Sequence, residues 1–364
     1  MADGRTGGPA DRSIVDSRVP SDRPTDRPTV LVIQTAFLGD VVLTTPLISV
    51  LAERHGPVDV VTTPAAATLL ETHPAVRTLI RYDKHGADHG LAGFRRLTSV
   101  LRAGNYSTVY LPHRSVRSAV LALLSGARER VGFGGTVAAA TYTSRVPVAA
   151  TGHEVERLLA LAGATAKPAP VSLGLTADDH TTAERWLDAA GIAPGFVALA
   201  PGSIWGTKRW PHYGALAARL DRRCVIVGGP DDASLAADIA AAAPGRTVSA
   251  AGGLGLRASA ALISRAAALV TNDSAPLHLA TAVATPVVAV FGPTVPQFGF
   301  GPRGPLDVSL GKDDLACRPC SRHGPMTCPL GHHRCMRELS VETVAAALAA
   351  VLSGEESRAI CPRN

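Results

Sequence analysis

A carboxylate follows the first apolar segment of the chain. Residues 29–34 (TVLVIQ) are a short apolar run, and the loop TAFLGD at 35–40 brings Asp40 directly after Gly39. The residues beyond are typical of a helix through about Glu53, so Asp40 stands at a helix start, where Asp caps free backbone N–H groups. A carboxylate at this position could also take a proton from a hydroxyl nucleophile. These residues leave both roles open, helix cap and general base.

A second loop combines small hydroxyl residues with basic ones. The sequence PGSIWGTKRWP at 201–211 follows the apolar run 195–200 and contains Ser203, Thr207 and Lys208. Hydroxyls and backbone N–H groups bind phosphate, and a lysine adds positive charge. Lys208 is one of four lysines among 36 basic residues. The pattern favours a phosphate cradle over a solvated polar loop.

Two more polar loops follow apolar segments. TNDSAPLH at 271–278 contains residues that either cap a helix or present its N-terminus to an anion: Asp273, Ser274, Ala275 and His278. GGPDD at 228–232 places Asp231 or Asp232 where an acid can bind ribose hydroxyls, although a helix cap explains it equally well. The chain has no Walker loop, GxSxG elbow or HExxH helix, and the absence of GxGxxG argues against hydride transfer.

A cysteine-rich segment, residues 317–336, contains four of the six cysteines. Their spacing is Cys317-x2-Cys320-x7-Cys328-x6-Cys335, with three histidines among them. Four thiols are enough for a structural tetrahedral zinc or an iron–sulfur centre. The spacing differs from the usual pair of CxxC motifs, so free thiols and a disulfide stay open as alternatives.

The elements that position these loops alternate regularly. Strands are predicted at 29–34, 58–62, 78–82, 107–111 and near Val131, then at 195–200, 223–228, near 247, 267–271 and 286–291. Helices are predicted through Glu53 and at 64–71, 91–103, 115–124, 153–162, 177–190, 211–221, 231–243, 257–266, 275–284 and 340–353. The Pro/Ala-rich stretch 163–172 resembles an interdomain linker. The alternation predicts an α/β protein with two parallel-sheet domains and a ligand cleft at the strand ends.

Composition excludes several classes of protein. With 46% hydrophobic and 18% charged residues in 364, the chain can bury a core, and it has no apolar run long enough to span a membrane. Residues 1–28 lack a signal-peptide core and predict a disordered tail, hence a cytoplasmic protein. The net charge of +6 is dispersed without aromatic interleaving, so a metal-cluster nucleic-acid-binding protein is a remote alternative and no nucleic-acid partner is expected.

The motifs together resemble one family. GD at 39–40 with TTP at 44–46, PGSxxxxKRWP at 201–211 and TNDSAPLHLA at 271–280 are similar to the ADP-heptose:lipopolysaccharide heptosyltransferases of glycosyltransferase family 9. FGPT at 291–294 and CRPC…CPLGHHRCM at 317–336 resemble the heptosyltransferase II branch. The resemblance covers about residues 29–350. It implies a GT-B fold, in which two Rossmann-like parallel-sheet domains face each other across a cleft.

The resemblance also implies domains and residue roles. Residues 29–170 would bind the acceptor, 171–353 with the cysteine-rich segment would bind the nucleotide-sugar, and 354–364 would be a tail. Asp40 matches the general base and Lys208 a residue at the donor phosphates or sugar. The other implied donor-binding residues are Gly39, Ser203, Thr207, Asp231 or Asp232, Asp273, Ser274, Ala275 and His278. Ala275 stands where the family commonly has Gly.

The implied reaction is an inverting transfer of a heptose from ADP-heptose to a lipopolysaccharide inner core or a related cell-envelope glycolipid. His113, Arg114 and Arg117 would face acceptor carboxylates or phosphates, or else form a solvated helix start. No cofactor is expected to be required, and peripheral contact with the inner face of the cytoplasmic membrane is expected. The alternative is a family 9 transferase with another nucleotide-sugar donor or surface-glycan acceptor.

Overall fold

The computed structural model describes residues 29–163 and 169–354, together with the backbone of Val15–Ser17. Half of the predicted linker (164–168), most of the N-terminal tail (1–14 and 18–28) and nearly all of the C-terminal tail (355–364) lie outside the described residues. The chain divides into two units. The first holds the described residues up to Ala36 and Leu51–Pro147, and the second holds Phe37–Val50 and the described residues from Val148 onward.

The first unit is built on a seven-stranded sheet with the order β1-β4-β3-β2-β5-β6-β7. Its strands are β1 (Val15–Ser17), β2 (Val30–Ile33), β3 (Val58–Thr62), β4 (Val76–Arg81), β5 (Thr108–Leu111), β6 (Glu129–Phe133) and β7 (Ser144–Val146). Its helices are the C-terminal part of α1 (Leu38–His55), α2 (Pro64–Leu70), α3 (Gly90–Ala103), α4 (Val116–Leu124) and the 3-10 turn Val137–Thr141. All strand pairs are parallel except β1 with β4.

The antiparallel strand β1 lies within the predicted disordered tail, so the prediction is wrong for the three residues Val15–Ser17. Val15–Ser17 pair with Thr78–Ile80 of β4, which would otherwise be the edge strand of the sheet. An edge strand presents unpaired backbone N–H and C=O groups, and any extended segment of the chain can satisfy them. The backbone ladder accounts for this strand without an apolar run in the sequence.

The second unit is built on a six-stranded parallel sheet with the order β10-β9-β8-β11-β12-β13. Its strands are β8 (Val197–Ala200), β9 (Cys224–Ile226), β10 (Thr247–Ser249), β11 (Ala268–Asn272), β12 (Val287–Phe291) and β13 (Val308–Gly311). Its helices are α5 (Glu154–Ala160), α6 (Ala177–Ala189), α7 (Tyr213–Arg219), α8 (Ala233–Ala242), α9 (Leu256–Ile263), α10 (Ala275–Ala282), α11 (Arg334–Arg337) and α12 (Val341–Ser353). The 3-10 turns are Gly206–Lys208, Pro230–Asp232 and Pro296–Phe298.

The strand order of the second sheet decides which loops become neighbours. Strands β9, β8, β11 and β12 lie side by side and run parallel. The loops that follow them are those that the sequence singled out: GGPDD, PGSIWGTK, DSAPLH and FGPT. Parallel strands end at the same edge of a sheet, so these four loops gather there. The predicted α/β class with two parallel sheets is confirmed.

Helix α1 tolerates an internal proline because a neighbouring threonine replaces the missing hydrogen bond. Pro46 has no N–H for the carbonyl of Val42, four residues earlier. The Thr45 hydroxyl donates to that carbonyl at 2.8 Å and accepts the Ser172 N–H at 3.1 Å. The TTP motif therefore keeps the first half of α1 helical and ties it to the second unit.

Among the described residues, no helix combines the length and apolar character that crossing a bilayer requires.

Candidate active site

Lys208 and Asp273 form a buried ion pair at the strand ends of the second unit. The Lys208 Nζ donates to Asp273 Oδ2 at 2.6 Å and to the Asp273 backbone carbonyl at 3.1 Å. The Thr294 hydroxyl donates to the same Asp273 Oδ2 at 2.6 Å. An ammonium has three hydrogens, and these bonds use two of them, so one is available to a ligand. The lysine is thus held by an acid, and that acid is held by a third strand-end loop.

Asn272 joins the loops that carry this ion pair. Its amide donates to the Pro201 carbonyl at 2.8 Å, and its Oδ1 accepts the Trp210 N–H at 3.1 Å and the Tyr213 hydroxyl at 3.2 Å. Asn272 is fully buried. Such a satisfied buried polar network fixes the relative positions of its members. The TND motif therefore sets the location of the Lys208 loop.

The hydroxyl residues of that loop have local partners. The Ser203 Oγ accepts the Trp205 N–H at 3.3 Å, and its carbonyl accepts from Arg209. The Thr207 hydroxyl donates to the Pro325 carbonyl at 2.5 Å. Thr207 is buried and Ser203 is half-buried, so Ser203 is the more accessible hydroxyl of the two.

Asp40 lies in the first turn of α1 and caps the helix, which is one of its two predicted roles. Its Oδ2 accepts the Phe37 N–H at 3.1 Å, as an acid at the third helical position does in a capping box. Among the residues that the structure describes, Oδ1 has no hydrogen-bond partner, so it is free to accept one from a ligand. The cap and the general base are compatible, since each needs a different oxygen.

The surroundings of Asp40 shift the pKa of its carboxyl group towards neutral pH. Burial raises the pKa of Asp40 to about 6, and the negative charge of Glu154 adds to this rise. The Phe37 N–H and the Lys208 ammonium act in the opposite direction and lower the pKa. Glu154 opens α5 and is held by Arg157 at 3.1 Å. A general base works best with a pKa near the operating pH.

Gly39 is required because His278 lies against it. A Cβ at position 39 would be 2.6 Å from the His278 Cδ2. His278 is buried on α10, and burial lowers its pKa to about 4, which leaves the imidazole neutral at pH 7. His278 therefore brings the start of α10 against the start of α1 without adding a positive charge.

The start of α10 follows the ion pair directly. Ser274 is extended at φ −152° and its hydroxyl makes no side-chain cap, while Ala275 and Pro276 begin the helix. The Ser274 Oγ lies 3.5 Å from the Asn272 carbonyl oxygen. Proline is favoured at this position because its missing N–H would have no helical partner. The helix start thus lies beside Asp273, as the sequence predicts.

Of the two acids in GGPDD, Asp232 is the one that faces the Lys208 loop. Its carboxylate accepts the Gly229 N–H at 3.0 Å, and it occupies the space where a Cβ of Gly202 would lie. Asp231 is exposed. The geometry separates two acids that the sequence left equivalent.

Three rings form an exposed aromatic surface next to Asp40. Phe37 is 6.5 Å from Trp205 and 6.0 Å from His323 between ring centroids, and Trp205 stacks on His323 at 6.4 Å. The Phe37 side chain is 46% exposed. This surface joins the start of α1, the Lys208 loop and the cysteine-rich segment.

The predicted acceptor residues belong to the first unit and lie close to a lysine that the sequence analysis did not assign. The Arg117 guanidinium donates to the Tyr82 hydroxyl at 3.2 Å, and Arg114 stacks over the Phe133 ring at 5.2 Å. Burial and the charge of Lys84 lower the pKa of His113, whose buried Nδ1 has no hydrogen-bond partner among the described residues. Burial and the charge of Arg117 also lower the pKa of Lys84. These residues form a cationic group in this unit.

The metal interpretation of the cysteine-rich segment is not supported. Within the described residues no three or more His, Cys, Asp or Glu side chains are arranged to hold a metal ion, and the described cysteines are free thiols. Cys335 packs into the core of the second unit, whereas Cys320 is exposed. Cys317 and Cys328 are half-buried, and the four thiols lie near enough for Cys320, Cys328 and Cys317 to add to burial in raising the pKa of Cys335.

Several site residues escaped the sequence analysis. Thr294 belongs to the FGPT motif, which entered the sequence analysis only through the family resemblance, and Glu154 stands at an ordinary helix start. Lys84 could have been flagged, because it is one of the four lysines of the chain. No local signal in the sequence connects Thr294 or Glu154 with the residues that they contact or influence.

Comparison with known proteins identifies the family. Residues 94–330 match the model of glycosyltransferase family 9 (heptosyltransferase). The lipopolysaccharide heptosyltransferase 1 of Pseudomonas aeruginosa PAO1 is 30% identical over 359 residues, covering 90% of this chain and 99% of that protein.

Two solved structures have similar folds. A family 9 glycosyl transferase from Veillonella parvula DSM 2008 gives a TM-score of 0.79 at 23% identity, covering 90% of this chain and 98% of that one. The E. coli ADP-heptose LPS heptosyltransferase II gives 0.72 at 25% identity, covering 90% and 99%. The resemblance in the motifs and the GT-B fold class are thereby confirmed. The chain is a glycosyltransferase and belongs to glycosyltransferase family 9, the heptosyltransferase family.

Proposed function

We propose that this enzyme transfers a heptose from ADP-heptose to a lipopolysaccharide inner core, or a related cell-envelope glycolipid, with inversion at the sugar carbon. One observation carries the proposal. A carboxylate with a pKa of about 6 and a buried lysine lie in the same unit, close enough for Lys208 to lower the pKa of Asp40. A base and a phosphate-binding cation are the two groups that such a displacement needs.

Asp40 acts as the base in this mechanism. The acceptor hydroxyl donates to Asp40 Oδ1 while Oδ2 stays on the Phe37 N–H. The hydroxyl oxygen forms a bond to C1 of the heptose, the bond from C1 to the phosphate oxygen breaks, and ADP leaves with that electron pair. The hydroxyl proton moves to Asp40. A pKa of about 6 keeps Asp40 ionised at pH 7 before the transfer.

Lys208 stabilises the departing diphosphate. The third hydrogen of its ammonium donates to a phosphate oxygen, and Asp273 and Thr294 hold the ammonium in place. In this proposal Ser203 and the start of α10 add neutral donors, and Asp232 accepts hydrogen bonds from the ribose hydroxyls. Because the protein's own residues supply this stabilisation, we propose that the transfer requires no resident cofactor.

A nucleotide titration tests the donor. We expect calorimetry to show ADP binding at least tenfold more tightly than UDP or GDP, because the solved E. coli relative is an ADP-heptose enzyme. Tighter binding of UDP or GDP would exclude ADP-heptose as the donor and favour another nucleotide-sugar. If none of the three binds, the proposed transfer is wrong.

The cationic group of the first unit is proposed as the acceptor site. Lys84, His113, Arg114 and Arg117 would pair with phosphates or carboxylates of the glycolipid. The acceptor would lie at the inner face of the cytoplasmic membrane, with the enzyme cytoplasmic and in peripheral contact.

We expect Arg117→Ala to raise the KM for acceptor about tenfold with little change in ADP affinity, since one charged hydrogen bond is worth roughly 1.5–3 kcal/mol. Steady-state kinetics with a deacylated acceptor measure this effect. The exposed Arg128→Ala is the control and should leave both constants unchanged. Equal effects of the two substitutions would contradict the assignment.

A further inference from the structure

We propose that the cysteine-rich segment, residues 317–336, is a brace that sets the positions of two donor-site loops, with Arg318 and His333 as its positioning residues. The two loops are the Lys208 loop, called the lysine loop below (residues 201–208), and the FGPT loop (residues 291–294). The inference rests on the proposed function for the meaning of these loops. It gives the segment a role that does not depend on metal binding.

Arg318 holds the FGPT loop through its backbone. Its Nε donates to the Gly292 carbonyl at 2.5 Å, and its Nη2 donates to the carbonyls of Phe291 at 3.0 Å and Thr294 at 3.1 Å. The Arg318 side chain is 3% exposed, and its Nη1 pairs with Asp313 at 2.9 Å. A guanidinium has five N–H donors in a fixed plane, so three carbonyls bound to it are fixed relative to one another.

His333 and Pro325 hold the lysine loop. The His333 Nε2–H donates to the Thr207 carbonyl at 2.8 Å. On the other side of the same residue, the Pro325 carbonyl accepts the Thr207 N–H at 3.3 Å and its hydroxyl at 2.5 Å. The brace therefore takes up all three polar groups of Thr207, the residue immediately before Lys208.

Glycines allow the brace to approach both loops closely. A Cβ on Gly324 would lie 3.0 Å from the Pro293 Cγ and 3.2 Å from the Thr207 Oγ1, so one residue of the brace touches both loops. Gly324 also has φ +80°, a conformation that L side chains rarely adopt. A Cβ on Gly311 would lie 2.5 Å from the Arg318 Nη2, so Gly311 leaves the space that the guanidinium fills.

The two braced loops meet at one carboxylate. The FGPT loop supplies the Thr294 hydroxyl and the lysine loop supplies the Lys208 ammonium, and both donate to Asp273 Oδ2. Arg318 binds the Thr294 backbone, while His333 binds the residue next to Lys208. A shift of either loop would move a donor of this network. A misplacement of about 1 Å can reduce a rate about a hundredfold.

The test uses variants in the brace with a matched control from the same segment. Arg318→Gln removes the planar fork, and His333→Asn tolerates the left-handed backbone at φ 49° but shortens the reach to Thr207. His333→Gln, which restores a longer amide donor, should recover part of the loss. Arg322→Gln is the control, because Arg322 is exposed in the same segment.

We expect Arg318→Gln and His333→Asn to weaken ADP binding and lower kcat/KM by about tenfold to a hundredfold. The pH profile should change little, because burial and Glu154, the causes that raise the pKa of Asp40, are untouched. Hydrogen exchange in the absence of nucleotide should be faster in residues 317–324 for Arg318→Gln and in 201–208 for His333→Asn. These peptides contain the amides of Cys320, bound to Pro293 at 2.9 Å, and of Thr207.

The outcomes separate the brace from the proposed function. Unchanged exchange in residues 317–324 and 201–208, or equal ADP affinity and kcat/KM in the brace variants and Arg322→Gln, would overturn the brace. Faster exchange in a protein whose wild type binds no ADP would keep the brace and reject the donor assignment. If Arg318→Gln fails to fold, His333→Asn and its recovery by His333→Gln decide the question.

Discussion

Asp40→Asn is expected to lower the transfer rate by about 10²–10⁴-fold, the usual contribution of a positioned general base. Asparagine keeps the capping bond to the Phe37 N–H through its amide oxygen, so the start of α1 should be preserved. ADP affinity should change little, because the base contacts the acceptor. Single-turnover transfer assays and calorimetry on the same preparation measure the two quantities.

The pH dependence of the wild type provides a second readout. Asp40 must be ionised to accept the proton, and its pKa is raised to about 6 by burial and by Glu154. The rate should therefore be constant above about pH 7 and fall tenfold per pH unit well below pH 6. A transfer rate that begins to fall only near pH 4 would contradict the pKa shift that burial gives this carboxylate.

The same substitution should stabilise the protein at neutral pH. The folded-state pKa of Asp40 lies above its unfolded value, so the folded protein binds more protons between about pH 4 and 6. The free energy of unfolding of the wild type therefore falls as the pH rises through this window. Asparagine has no charge to bury, so the Asp40→Asn variant should be more stable than the wild type by an amount that grows to about 1–3 kcal/mol above pH 6.

Asp307→Asn is the matched control for Asp40→Asn. Burial also raises the pKa of Asp307, whose carboxylate accepts the Val287 and Gly304 N–H groups away from the residues of the site. The folded fraction of this variant should retain wild-type transfer. If Asp40→Asn also retained transfer, Asp40 would be a helix-capping residue only.

Lys208→Met is expected to abolish selective ADP binding and to lower transfer by about 10²–10³-fold, the typical effect of removing one preorganised donor. The same change leaves the Asp273 carboxylate buried without its cation. Breaking a buried pair in this way costs about 3–5 kcal/mol of stability. Denaturant unfolding and nucleotide titration measure the two effects.

A double variant separates folding from function. Lys208→Met/Asp273→Asn removes both charges, so it should recover most of the lost stability, while ADP binding should remain absent. Lys312→Met is the control, since Lys312 pairs at 3.1 Å with Asp314, which is largely exposed. Exposed pairs contribute about 0–1 kcal/mol, so this change should be nearly silent. Normal ADP affinity in Lys208→Met would contradict the phosphate-binding role.

The sequence by itself determined the elements and the loops that carry the chemistry. Buried parallel strands such as β8, β11 and β12 are short continuous apolar runs between helices. This pattern is visible in the local sequence and does not depend on the tertiary arrangement. The polar loops after them were predicted at the same sheet edge, because parallel strands end together. The strands that the pattern missed, β1, β7 and β13, lie at sheet edges, where an apolar run is not required.

Only the tertiary structure decided which groups pair within that edge. The sequence gives no sign that Lys208 binds Asp273, 65 positions away, or that Arg318 binds the carbonyls after β12. It also suggested a metal for the four clustered cysteines, but no metal-holding group of side chains is found among the described residues. Such long-range partners depend on the order of strands in the sheet and on the path of each loop. Local propensity and spacing are properties of neighbours along the chain. They therefore carry no information about the strand order or about the loop paths.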